Sequence, residues 1–242
     1  MTALPDRPPA RRLGLVIDLD TCVGCQACVI ACKAWNSGGA AGPLADAEPY
    51  GRRPSGTWLN RVHGFEVGEG EDGRTVYFPR SCLHCENAAC VTVCPTGASY
   101  KRAEDGIVLV DASRCIGCGL CAWACPYGAR ELDPASGVMK KCTLCVDRIH
   151  DERLPPEERE PACVAVCPAR ARHFGDLADP EGPLARLVAE RGGVELLPEL
   201  GYRPTNLYLP PRPGRPLAAQ APLVEAPSTA GFLGWVDRLL GE

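Results

Sequence analysis

Apolar residues in this chain come in short runs, each stopped after a few positions by an acidic residue or a glycine. Leu15-Val16-Ile17 ends at Asp18, and Ile107-Val108-Leu109-Val110 ends at Asp111; each reads as a short strand. Gly97 to Arg102, with a turn at Glu104-Asp105-Gly106, pairs with the second run as a hairpin. Gly128 to Leu132, a turn from Asp133 to Gly137, and Val138-Met139 predict another. Residues 36–80 form an insertion rich in Gly, Pro and Arg with one readable strand, Thr75 to Phe78, and with Trp58, Val62 and Phe65 as packing residues. Residues 183–193 read as a helix: Pro183 opens it, Leu184, Leu187 and Val188 share a face, and Gly192-Gly193 stop it. Residues 203–228 hold seven prolines and read as an extended strap. From Phe232 the apolar positions fall at helical spacing through Leu240, an amphipathic tail. That tail would dock on the body of this chain, a membrane surface or, the favoured reading given the strap, a partner protein.

No stretch approaches the roughly 20 apolar residues that span a bilayer. Arg11-Arg12 is followed by an apolar run of only Leu13 to Ile17, too short for the core of an export signal. The expectation is a chain that stays in the cytoplasm unless a partner carries it across the membrane folded. At 242 residues, with 6% aromatics, 26 Gly and 24 Pro, the chain has one or two domains and a loop-rich body. Something other than a large apolar core must hold it together.

The cysteines supply it. All sixteen fall into four sets: Cys22, Cys25, Cys28 and Cys32; Cys82, Cys85, Cys90 and Cys94; Cys115, Cys118, Cys121 and Cys125; and a split set, Cys142, Cys145, Cys163 and Cys167. The last three are each followed by proline. C-x2-C-x2-C-x3-C-P is the bacterial ferredoxin run, in which three cysteines hold one [4Fe–4S] cluster and the fourth reaches a neighbouring one. Sixteen cysteines predict four such cubanes, a row of one-electron centres. Gly24, Gly117 and Gly119 lie inside the tight loops, where positive φ comes easily only to glycine. The x3 gap is close to one helical turn, so the fourth cysteine leaves the loop on a short helix.

Structural zinc also uses C-x2-C pairs, but a zinc ribbon has no role for the third cysteine or for the fourth before proline. Tight triplets are poor disulfide partners. The formal charge of −4 becomes roughly −12 once four clusters at about −2 each are added. Lys33, Arg80, Arg114, Lys140, Lys141, Arg148, Arg170 and Arg172 are candidates to offset it, against the simpler reading that most are solvated. His84, between Cys82 and Cys85, is a candidate hydrogen-bond donor to a sulfur, against the alternative of a packed or solvated histidine. No basic stripe suggests nucleic acid, and no phosphate loop or dinucleotide fingerprint is present. The ferredoxin pattern implies an α+β, loop-rich fold of two interlocked bacterial ferredoxin-like [4Fe–4S] units with an extended C-terminal strap. Residues 13–35 plus 138–175 make the first unit and 81–137 the second; 36–80 is the insertion, 176–202 a helix and connector, and 203–242 the strap and tail.

Seven motifs carry a resemblance: Cys22-Val23-Gly24-Cys25-Gln26-Ala27-Cys28, Ser81-Cys82-Leu83-His84-Cys85, Cys94-Pro95-Thr96-Gly97-Ala98, Cys115-Ile116-Gly117-Cys118, Ala124-Cys125-Pro126-Tyr127-Gly128-Ala129, Lys141-Cys142-Thr143-Leu144-Cys145-Val146-Asp147-Arg148 and Cys167-Pro168-Ala169-Arg170-Ala171. From about Leu15 to Arg212 the chain resembles the electron-transfer subunits of the dimethyl sulfoxide reductase family of complex iron–sulfur molybdoenzymes. The resemblance implies no catalysis by this chain alone. It implies a molybdopterin catalytic subunit on one side and a quinone-binding membrane subunit on the other. Carried over by motif, cluster 1 uses Cys22, Cys25, Cys28 and Cys167. Cluster 2 uses Cys142, Cys145, Cys163 and Cys32. Cluster 3 uses Cys82, Cys85, Cys90 and Cys125. Cluster 4 uses Cys115, Cys118, Cys121 and Cys94. Some relatives replace a cysteine of the third set; Cys118 is present here, so four cubanes are expected. Within the family, Gly56 to Val62 and Pro204 to Arg212 are most similar to the cytoplasm-facing, membrane-associated sulfite dehydrogenases. The alternatives are the same wire in a sulfoxide, polysulfide or thiosulfate reductase, and a free polyferredoxin.

Overall fold

The computed structural model describes residues 4–36, 57–69 and 73–212. In chain order the elements are β1 (Leu13–Asp18), α1 (Ala27–Asn36), β2 (Asn60–Val67), β3 (Arg74–Ser81), α2 (Ala89–Thr92), β4 (Ser99–Lys101), β5 (Val108–Val110), α3 (Leu120–Trp123), β6 (Glu131–Asp133), β7 (Val138–Lys140), α4 (Val146–Ile149), α5 (Ala162–Ala165), β8 (Arg172–Asp176), α6 (Pro183–Arg191) and β9 (Leu207–Leu209). Elements are short and connections many, the α+β, loop-rich character expected of the composition.

β1 is buried at all six positions because it is the centre of a three-stranded sheet. It pairs antiparallel with β8, Leu15 opposite Phe174, and parallel with β9, Val16 opposite Leu207. A strand covered on both sides reads as a continuous apolar run, which explains the absence of alternation in Leu13 to Ile17. β4–β5 and β6–β7 are the two expected hairpins. α6 ends at Gly192, whose φ of +65° gives the left-handed cap.

Three expectations need correction. The insertion holds a full hairpin, not one strand: β2 pairs with β3 from Asn60↔Ser81 to Val67↔Arg74. Its outer half is exposed, so no apolar face marks β2 in sequence. Trp58 and Val62 are buried, but Phe65 lies on that outer half and is 54% exposed. The strap begins later than the prolines suggest: Thr205 to Leu209 are all buried, and Leu207 to Leu209 are the sheet strand β9. The rest of the strap from residue 213 and the amphipathic tail lie outside the described residues.

The segment leading into β9 pins distant parts of the chain. Leu15 N–H donates to Asn206 Oδ1 at 2.8 Å, and Asn206 Nδ2 donates to the Cys82 carbonyl at 2.9 Å. Thr205 Oγ1 donates to the His84 carbonyl at 2.8 Å, and the Thr205 and Asn206 N–H groups both reach the Leu83 carbonyl. Tyr208 stacks on Phe78 with ring centres 4.5 Å apart, and its hydroxyl donates to the Pro79 carbonyl at 3.1 Å. The main core joins Leu15, Ile17, Leu83, Ile107, Leu144 and Tyr208, so residues between cysteines are themselves core residues.

Asn206→Leu removes two hydrogen bonds and leaves a buried N–H and C=O unpaired, a cost of about 2–5 kcal/mol. The cluster-loaded protein is expected to bleach at a clearly lower temperature, with Tyr208→Phe the milder control. An unchanged bleaching temperature in Asn206→Leu contradicts the pinning role.

Candidate iron–sulfur centres

The four cysteine loops share one backbone device. The residue before the second cysteine has positive φ in every set: Gly24 at +68°, His84 at +49°, Gly117 at +66° and Leu144 at +52°. At Gly24 an added Cβ would lie 2.4 Å from the Tyr77 ring, and at Gly117 it would lie 2.4 Å from the Gly137 carbonyl oxygen. His84 and Leu144 carry side chains in the same strained region, and both side chains are fully buried. Core packing offsets the strain there. After each loop the third cysteine enters a helix: Cys28 in α1, Cys90 in α2, Cys121 in α3 and Cys163 in α5. In the three short helices the fourth cysteine follows directly after the C-cap.

This arrangement gathers thiols from distant loops. Cys22, Cys25, Cys28 and Cys167 line one pocket together with Arg172. Cys94, Cys115, Cys118 and Cys121 line another together with Arg130. Burial pushes the Cys32 thiol well above its ordinary value, and the adjacent Cys142, Cys163 and Cys145 push it further. Burial pushes Cys85 up to about 12, with Cys82, Cys90 and Cys125 as its thiol neighbours. Successive groups abut. Besides burial, Cys163 is raised by Cys145 and Cys28, Cys142 by Cys163 and Cys82, and Cys121 by Cys90 and Cys115. Among the described residues no three His, Cys, Asp or Glu side chains gather tightly enough to hold a single metal ion. The thiols of two of the groups line pockets instead.

Two regions match the 4Fe-4S dicluster domain, residues 21–98 and 74–177. The chain is 58% identical over 204 residues to the B subunit of sulfite dehydrogenase from Allochromatium vinosum, covering 84% of this chain and 85% of that one. It is 38% identical over 205 residues to the B subunit of tetrathionate reductase from Salmonella typhimurium (83% and 73% covered). It is 37% identical over 207 residues to the B component of polysulfide reductase from Wolinella succinogenes (85% and 97% covered). This protein belongs to the iron–sulfur electron-transfer subunits of the dimethyl sulfoxide reductase family. As a member it carries four [4Fe–4S] clusters, to which its sixteen cysteines correspond.

The surroundings of the thiols fit such clusters. Backbone N–H groups already point at sulfur: Ser99 to Cys94 at 3.3 Å, Ala171 to Cys167 at 3.3 Å, Met139 to Cys115 at 3.4 Å, and Leu144 to Cys142 at 3.5 Å. Asn36 Nδ2 lies 3.7 Å from both Cys32 and Cys145 Sγ. Buried donors also remain without a hydrogen-bond partner among the described residues: His84 Nε2, Arg130 Nε and Nη1, and Arg172 Nε. His84 Nδ1 accepts from the Val108 N–H at 3.1 Å, so the ring's proton sits on Nε2. Burial, then Lys141, Lys101 and Arg130, keeps the ring neutral. A neutral imidazole with one buried N–H left to give is suited to donate to cluster sulfur. Burial pushes the thiols of Cys32, Cys142, Cys145 and Cys163 up, so loading iron onto that group releases protons.

Of the eight candidate cations, Arg172, Lys141 and Lys33 are buried, and the first two lie beside cysteine thiols. Lys141 Nζ donates to the Cys142 carbonyl. Lys33 donates to the Thr57 carbonyl at 3.0 Å and lies 4.2 Å from the Trp58 ring centre. Lys140 pairs with Asp133 at 2.6 Å, Arg114 reaches the Thr96 carbonyl, Arg148 reaches the Glu160 carbonyl, Arg80 is half-buried and Arg170 is exposed. Two buried cations beside the cysteines were not among the candidates: Lys101, whose Nζ donates to the Cys85 carbonyl at 2.9 Å, and Arg130. The signal of Arg130 was positional: it follows Cys125 by five residues, as Arg172 follows Cys167.

Gly117→Ala puts a Cβ against a backbone oxygen in a left-handed turn, a cost of about 1–3 kcal/mol that no side-chain motion relieves. The purified variant is expected to lose about one cubane of iron and sulfide in four, with the other clusters retained. Full iron content contradicts the geometric role of this residue.

Proposed function

We propose that this chain relays single electrons between a molybdopterin catalytic subunit and a quinone-reactive membrane subunit, in the direction of sulfite oxidation. The observation that carries the substrate is the 58% identity to the B subunit of a sulfite dehydrogenase over 84% of the chain. The ligand sets follow the thiol groupings: Cys22, Cys25, Cys28 and Cys167; Cys142, Cys145, Cys163 and Cys32; Cys82, Cys85, Cys90 and Cys125; Cys115, Cys118, Cys121 and Cys94. When bound, each cluster supplies a centre that takes up and gives back one electron. The proposed order of these centres is supported by the thiol neighbours of Cys28 and Cys163, Cys82 and Cys142, and Cys90 and Cys121.

The two terminal groups lie at apolar surface. Val23, Ile30 and Val166 are exposed near the first, and Ile116, Leu120 and Trp123 near the fourth, Trp123 at 92%. Exposed apolar side chains gathered at a redox centre suit a protein partner. No helix of the described residues is long and apolar enough to cross a membrane. The proposed placement is peripheral, on the cytoplasmic face of the inner membrane, held by the partner subunits; the alternative is export to the periplasm together with the catalytic subunit. A second reading, the same wire serving a reductase, has its own support in the tetrathionate and polysulfide reductase relatives.

Purified as the intact complex, the protein is expected to support sulfite-dependent reduction of a quinone analogue. Oxidation of a quinol analogue by tetrathionate, polysulfide or dimethyl sulfoxide, without sulfite activity, decides for the reductase. Cys118→Ser is expected to remove one cluster signal and depress quinone-linked turnover. Turnover with artificial electron carriers at the catalytic subunit stays intact. Unaltered quinone-linked turnover would show that the order of the clusters is wrong.

A further inference from the structure

Arg130 and Arg172 occupy equivalent places. Each lies five residues beyond the cysteine of a Cys-Pro step, each is buried, and each reaches two groups of thiols. Arg130 Nη2 donates to Cys90 Sγ at 2.9 Å and to Ser99 Oγ at 2.8 Å, while its side chain lines the cavity of Cys94, Cys115, Cys118 and Cys121. Arg172 Nη1 donates to Cys163 Sγ at 3.7 Å and Nη2 to Asn60 Oδ1 at 2.8 Å, while its side chain lines the cavity of Cys22, Cys25, Cys28 and Cys167. The groups facing Arg130 are the thiols of Cys90, Cys82 and Cys121; those facing Arg172 are the thiols of Cys163 and Cys28 and the Tyr208 hydroxyl. A buried guanidinium with no opposing charge is costly, and both keep N–H groups with no hydrogen-bond partner among the described residues. Anionic clusters would supply the charge and the acceptors.

We infer that each arginine is an electrostatic bridge between two clusters, Arg172 between the first and second and Arg130 between the third and fourth, holding both reduction potentials of its pair above what burial alone would set. The assignment of pairs rests on the ligand sets proposed above. Reduction adds negative charge to a cluster in a medium of low dielectric, which burial disfavours. A fixed cation within hydrogen-bond reach favours the reduced form, and donors to sulfur act in the same direction. Placed between two clusters, the cation also screens the repulsion that reducing one imposes on the other. Arginine serves because its charge cannot be lost by deprotonation and its planar fork can donate to both sides.

The test is a redox titration of the intact complex, followed by electron paramagnetic resonance. Arg130→Gln is expected to disfavour reduction of the third and fourth clusters ten- to hundredfold, about 59 to 118 mV for a one-electron couple. The first and second stay within error. Arg172→Gln is expected to do the reverse. Arg130→Lys is expected to recover most of the shift, because the charge remains. Four unchanged midpoints with full iron content overturn the bridge, and so does a shift confined to one cluster. A shift of two clusters from different proposed pairs supports a bridge and overturns the ligand sets instead. If a glutamine variant fails to load, wild-type complex labelled with ¹⁵N-arginine decides. Guanidinium nitrogen couplings to the reduced clusters are expected, and their absence overturns the bridge. None of these readouts depends on the substrate, so failure of the sulfite assignment is separately visible.

Discussion

Charge burial governs this molecule. Four clusters with their thiolates bring about −8 into a chain that is already at −4. Apolar side chains cannot answer that charge, and an unpaired buried anion is expensive. The answer here is local and repeated. A left-handed residue before the second cysteine curls each loop, and N–H groups from the following strands and loops close on sulfur. Two arginines are buried where most proteins would avoid them. The same environment pushes Cys85 to about 12 and Cys142, Cys145 and Cys163 to about 11, chiefly through burial. The fold is therefore matched to metal-bound sulfur and poorly matched to free thiolates.

Interleaving of the chain answers a second demand, that thiols of different loops meet. The first cysteine loop follows β1, and the last cysteine precedes β8, the antiparallel neighbour of β1. That pairing brings residues near 22 and near 167 to one cavity across more than half the chain. β9 then joins the other edge of β1, with Asn206 bonded both to Leu15 and to the Cys82 loop. Few of these contacts are large. The sheet and the side-chain amide fix loops that have little apolar area of their own.

Much of this was legible in the sequence, because tight cysteine spacing constrains both chemistry and backbone. The cysteine sets, the two short hairpins and the helix from Pro183 could all be read from local signals. What escaped depends on tertiary context. β2 carries no apolar alternation because its outer half faces solvent, so Phe65 looked like core and is not. β9 is three residues long and hides behind prolines. His84 and Leu144 take a backbone region that glycine normally marks, offset by full burial of their side chains, which only the folded core reveals. Arg130 was camouflaged in a hairpin; only its spacing from Cys125, shared by Arg172 and Cys167, distinguishes it from a solvated charge.

The centre and the ends of the row differ in how they are insulated. None of the cysteines in the two middle groups is exposed: Cys32, Cys142, Cys145, Cys163 and Cys82 are buried, and Cys85, Cys90 and Cys125 are half-buried. The terminal groups each include an exposed cysteine, Cys25 and Cys118, beside exposed apolar side chains. Water there stabilises the more negative, reduced form, and a docked apolar partner would remove that water. Assembly would thus change the potentials at the two ends while leaving the middle nearly as it was. In the proposed row, the interior potentials are set by this chain and the terminal ones by whatever docks on them.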